Sequence, residues 1–147
     1  MQKINFQNLP STISPINDVN LNLLQDNVED AITDLFEVGS NENGNYIKYA
    51  DGRLECWNEI TKSLDITTAW GPLYASPFEN HFPDFPVRFI SRPIVNVSSQ
   101  SVGGYRSFIV KEYPPSDTNV NSFAVVGSWS SSQNNMILAY HAIGRWK

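Results

Sequence analysis

Two histidines, one cysteine and a thin scatter of carboxylates are the chain's stock for catalysis or metal binding. His81 and His141 stand far apart, with no HExxH, no HxH and no ligand cluster around either, so a metal-ligand spacing is missing. His141 sits in a strand-like run and reads as a hydrogen-bonded strand histidine. GxSxG, P-loop and GxGxxG patterns are absent. Cys56 alternates with Leu54 on one face of a strand pattern, which marks a small core residue and not a nucleophile. Asp84 with Glu79 is the kind of pair that acid–base chemistry uses, but any acidic loop supplies such pairs. The expectation is a protein that is not an enzyme, with no cofactor and no metal.

What remains is binding chemistry. Trp57, Trp70, Trp129, Tyr74, Tyr105 and Tyr140 supply amphipathic rings, and such rings at loop ends grip sugars or proteins by stacking plus a polar handle. The competing reading is that most of them are strand residues filling a core. A minority is expected to be functional.

These rings have to be positioned by a mainly β chain. Residues 1–17 read as extended, with Pro10 and Pro15 interrupting any helix. Asn17 or Asp18 is a candidate N-cap, and the spacing predicts a helix over 18–38, with Gly39 at the C′ stop. Leu21, Leu24, Val28, Ala31, Leu35 and Val38 recur at alternating intervals of three and four, a heptad seam. Leu23, Ile32 and Phe36 widen the stripe, as in a helix lying on its own domain. Fewer than three heptads cannot hold chains together alone, so the seam predicts a short oligomeric coiled-coil stem supported by something else. The helix is crowded with acids (Asp26, Glu29, Asp30, Asp34, Glu37) and has no Lys or Arg.

Residues 39–45 are polar and Gly-containing and predict a linker. Beyond it the period changes to two. Tyr46–Ala50, Asp51-Gly52 and Arg53–Ile60 predict a β-hairpin, with Asp-Gly supplying the positive φ of a type I′ turn. Further strand patterns run over 64–74, 87–90, 94–99, 105–113, 122–129 and 136–146, separated by Pro83 and Pro86, Pro93, Gly103-Gly104, Pro114-Pro115 and the turn 130–135. The sum is an antiparallel β-sandwich of about six to eight strands. The division is 1–45, an attachment segment with helix and linker, and 46–147, a β-head. In a simple up-and-down meander, Asp51-Gly52 and the loops 77–84, 100–104 and 130–135 share one end. If the chain bends at Arg92-Pro93 and does not reverse there, the last two move to the other end.

Composition narrows the partners. The 147 residues suit one domain with an appendage. Ten basic residues against fifteen acidic give −5, which argues against nucleic acid and anionic membrane surfaces. One cysteine excludes an intrachain disulfide. No apolar run is long enough for a signal h-region or a membrane span. The chain is expected to be made in a cytoplasm without classical export, which suits a free Cys56.

The opening Lys3-Ile-Asn-Phe-Gln-Asn-Leu-Pro-Ser-Thr12, with Pro15-Ile-Asn17 and Leu21-Asn-Leu-Leu-Gln-Asp-Asn-Val28, resembles the start of tail-fibre and baseplate proteins from phages and prophages of Gram-positive bacteria. Asn45–Trp57 and the ending Ala142-Ile-Gly-Arg-Trp-Lys147 resemble the distal domains of such fibres. Phe89-Ile-Ser-Arg-Pro-Ile-Val-Asn-Val97, Phe123–Trp129 and Ile137–Ile143 are similar to H-type lectins, antiparallel sandwiches that trimerise and bind N-acetylgalactosamine-type sugars at the subunit boundary. That resemblance implies saccharide contacts at Arg106 and at Trp129, which match the family's Arg and Trp. The chain departs from the pattern at Ser130, where the family has His, and at His141, where the family's last strand carries Trp.

The resemblance implies a homotrimeric receptor-binding protein of the virion. Residues 1–17 would dock to other tail or baseplate proteins, and the head would bind a host cell-wall or surface saccharide through Arg106, Trp129, Ser130, Asp84 and His81. The alternative of a different class is a structural virion part (fibre cap, collar or plug) with no receptor role.

Overall fold

The computed structural model describes residues 18–33 and 35–147. The expected attachment segment 1–17, with the candidate cap Asn17, and Asp34 lie outside the described residues. The chain divides into two compact units, Met1–Glu37 and Val38–Lys147.

In the first unit, helix α1 spans Asp18–Thr33 and ends five residues before the expected Val38. Leu35 N–H donates to Ile32 O at 3.1 Å in the closing turn. The physical reason is at the C-terminus. The last turn has no basic residue, Glu29 and Asp30 oppose the macrodipole there, and β-branched Ile32 and Thr33 follow. Phe36–Asn41 then forms strand β1. Leu35 and Val38 therefore leave the helical seam, which shortens to Leu21, Leu24, Val28 and Ala31. On this helix Leu23, Leu24 and Val28 are 57%, 60% and 47% exposed, so the apolar stripe is largely uncovered within its own unit.

The predicted linker 39–45 is a hairpin. Strand β1 pairs with β2 (Gly44–Tyr49). Glu42-Asn43 forms the turn, Asn43 N–H donates to Asn41 Oδ1 at 2.9 Å, and Gly44 takes φ 133°. β2 joins β3 (Arg53–Ile66) through Ala50-Asp51-Gly52, with Gly52 N–H donating to Tyr49 O at 2.9 Å. Gly52 alone has positive φ, 93°, so this is a three-residue loop closed by a left-handed glycine and not the expected type I′ turn.

The remaining strands are β4 (Thr68–Trp70), β5 (Leu73–Ala75), β6 (Ile94–Ser101), β7 (Ser107–Lys111), β8 (Phe123–Gly127) and β9 (Ser131–Arg145). They form two antiparallel sheets in a sandwich-like arrangement, β1-β2-β3-β9-β6 and β4-β5-β8-β7. The order is not a meander, because β9 inserts between β3 and β6. Arg53 faces Arg145 at one end of that ladder and Ile66 faces Ser131 at the other. Ile94 faces Ile143 and Ser101 faces Met136. The expected turn 130–135 is thus mostly strand. Near its start, Ser132 and Gln133 bulge opposite Asp65, with Gln133 at φ 54° and its N–H on Asp65 Oδ1 at 2.7 Å.

The core lies between the sheets and includes Leu54, Ile66, Phe123, Val125, Met136 and Leu138. Alternation along β3 and β9 sends every second residue inward. The segment 76–93 crosses from one sheet to the other and drives Phe82, Phe85 and Phe89 into the core. The strand expected at 87–90 does not form. Pro86 lacks an N–H, and the neighbouring backbone pairs elsewhere: Phe85 N–H with Thr118 O and Phe89 N–H with Asp117 O. Cys56 is fully buried, as expected of a core residue. Burial pushes its thiol up to about 12 against a weak contact to Val87 O.

Candidate functional site

The ends of β7 and β8 bring together three of the expected site residues. Ser107 faces Gly127, so Tyr105 and Arg106 precede β7 at the same sheet end where Ser128, Trp129 and Ser130 follow β8. The turn after β6 reaches this end as well, with Gly104 N–H donating to Ser101 O at 3.1 Å and Gly104 at φ 80°. Because β9 runs back from here to pair with β3, the site stands at the end of the sandwich away from Asp51-Gly52.

Trp129 is half-buried against the core. Its indole fills the space beside Gly127, where a Cβ would lie 1.9 Å from Cζ3. Its Nε1 is buried without a hydrogen-bond partner among the described residues. The Tyr105 ring stacks on the indole, with centroids 4.9 Å apart and planes inclined by 17°. Tyr105 is 53% exposed. Arg106, which follows Tyr105 in the chain, and Ser130, which follows Trp129, are exposed. The arrangement presents an aromatic surface, a cation and hydroxyls (Ser128, Ser130) to solvent, which suits stacking combined with hydrogen bonding to a polar ligand.

Asp84 and His81 belong elsewhere. His81 Nε2 bonds Phe123 O at 3.1 Å, at the opposite end of β8 from Gly127. Five residues of strand put about 13 Å between those ends. The His81 side chain is fully buried, so it offers nothing to a surface ligand. Phe82 and Phe85 anchor this stretch in the core and carry the histidine in with them. A carbonyl can only accept, so Nε2 carries a proton, leaving Nδ1 3.4 Å from Lys62 Nζ and 3.1 Å from Glu79 Oε1. Burial, then the Lys62 charge, lowers the His81 pKa against the raising effect of Glu79 and the Phe123 hydrogen bond. Asp84 is exposed and accepts from Asn119 Nδ2 at 3.3 Å. The five expected saccharide contacts therefore fall into one group of three and two separate residues.

A second polar group lies on the outer face of the long sheet. His141 Nε2 is 3.2 Å from Glu55 Oε2, and Tyr49 OH donates to Glu55 Oε1 at 3.1 Å. Burial, then this hydrogen bond, raises the Tyr49 pKa. Trp57 faces His141 in register, and Asn96 faces it from β6. A shallow groove runs here past Asn96, Ser98 and Ala139. Among the described residues no cluster of His, Cys, Asp or Glu could hold a metal ion, and no helix is long and apolar enough to cross a membrane.

No protein-family model matches the chain, and no curated protein matches it. Among solved structures, the chain is similar to an N-truncated R1-type pyocin tail fibre at 15% identity, with a TM-score of 0.48 over 81% of this chain and 94% of that one. It is also similar to a C-terminal fragment of the P. aeruginosa R1 pyocin fibre at 14% identity, with a TM-score of 0.45 over 94% of this chain and 40% of that one.

Proposed function

We propose that the chain is a tail or baseplate protein of a phage or prophage of Gram-positive bacteria, acting as a homotrimer that attaches to a saccharide on the host surface. Residues 1–17 dock to other tail proteins, the helix and the β-head hold the trimer, and the Arg106–Trp129–Ser130 end meets the sugar. The observation that carries the binding role is the convergence of an exposed guanidinium, a stacked aromatic pair and serine hydroxyls on one sandwich end. Support for self-association comes from the uncovered Leu24 and Val28 on the helix and from Ile94 and Ile143, exposed and opposite each other on the long sheet. The tail role rests on the resemblance of the opening and the ending to tail proteins. Three weak sites on one head would act by avidity, so affinity for a multivalent surface exceeds that of each site.

The test is binding of the full chain to Gram-positive cell walls and to a glycan array, compared with Arg106→Ala. Loss of a charge-assisted hydrogen bond predicts about tenfold or greater weakening with unchanged solution mass. A wild-type chain that binds no glycan or cell wall contradicts the receptor role and leaves the fibre-cap, collar or plug reading.

A further inference from the structure

We infer that Tyr105, not Trp129, is the aromatic ring that meets a saccharide, and that Trp129 is a positioning residue behind it. This rests on the saccharide-binding reading above. A sugar-stacking ring needs an open face and, if it is amphipathic, an accessible polar handle. Trp129 lacks the handle, because its Nε1 is buried. The indole packs into the space beside Gly127, and Tyr105 covers it at 4.9 Å in a nearly parallel stack. Tyr105 is 53% exposed, and it lies next to the exposed Arg106.

The surroundings fix Tyr105 in place. A Cβ on Gly103 would come within 3.2 Å of its ring, so the glycine lets the turn backbone lie close behind the phenol. Gly104 at φ 80° then turns the chain into position for the stack. The platform is thus a two-ring pile, core to solvent: Trp129 on the inside, Tyr105 on the outside. Its ligand is a pyranose whose C–H face lies on the phenol while its hydroxyls reach the Arg106 guanidinium.

The experiment uses the full chain on glycan arrays with Tyr105→Ala, Tyr105→Phe and Arg106→Ala, each checked for melting temperature and solution mass. Tyr105→Ala is expected to bind tenfold to thirtyfold more weakly, roughly the loss of a stacking hot spot, and Tyr105→Phe, which keeps the stacking face but loses the polar handle, to fall between Tyr105→Ala and wild type. Bound glycan is also expected to protect Tyr105 from nitration by tetranitromethane while leaving Tyr113, 58% exposed, reactive. If Arg106→Ala abolishes binding while Tyr105→Ala binds like wild type and Tyr105 stays unprotected, the inference is overturned and the saccharide reading stands. If the wild-type chain binds no glycan, both are overturned.

Discussion

The indole of Trp129 occupies the place beside Gly127 where any other residue would carry its Cβ, with Cζ3 only 1.9 Å from that position. The two residues are two apart in sequence, and the ring folds back along the strand that it follows. Gly127→Ala must therefore expel the ring and break its stack with Tyr105. We expect a loss of about 1–3 kcal/mol, the usual size of an overpacking penalty. A red-shifted tryptophan emission and a lower melting temperature would report it, and Trp129→Phe is the comparison that isolates this tryptophan's signal.

His81 makes stability depend on pH. Its folded pKa lies below the ordinary 6.5, so the unfolded chain binds the extra proton first as pH falls. The contribution of neutral His81 is fully present above pH 6.5 and is lost as pH drops through that value toward the lower folded pKa. Lys62 holds the Glu79 carboxyl below its ordinary 4.5, so that contribution is lost only in more acidic solution. Melting temperatures taken from pH 8 to pH 5 are expected to fall, and His81→Gln, which cannot gain the charge, to flatten the slope. An equal slope in both proteins would assign it to other groups.

Cys56 tests the core directly. With its side chain buried and its pKa pushed up to about 12, the thiol is neutral and enclosed at pH 8. A disulfide exchange reagent is expected to leave it unmodified in buffer and to titrate it fully in guanidinium chloride. Rapid labelling of the native protein would mean that the segment over Val87 opens readily.

Period-two patterning and turn residues make most of the strands legible in the sequence. Asp51-Gly52 placed the hairpin, and Gly103-Gly104 and Pro93 placed the breaks around β6. What escaped depends on tertiary choice. Phe36 and Val38 fit both a broad helical stripe and an alternation, and pairing with β2 decided for the strand. The insertion of β9 between β3 and β6 leaves no local signal, because neighbour order in a sheet is a long-range property. Likewise, His81 and Asp84 stand as expected saccharide contacts in one loop, yet Phe82 and Phe85 pull the histidine inside. Arg106 is implied by the resemblance, whereas Trp129 and Tyr105 both stand among the six candidate rings. Their pairing has no local signal, because Tyr105 and Trp129 flank two different strands that only the β7–β8 pairing brings side by side.

Self-association is the claim on which avidity, and hence the attachment role, depends. Light scattering of the full chain at micromolar concentration tests it most directly. The account predicts a single species at three times the chain mass of 16.6 kDa, stable to dilution. A species of 16.6 kDa across the same range would contradict it, leaving the exposed helix and sheet residues without a partner copy.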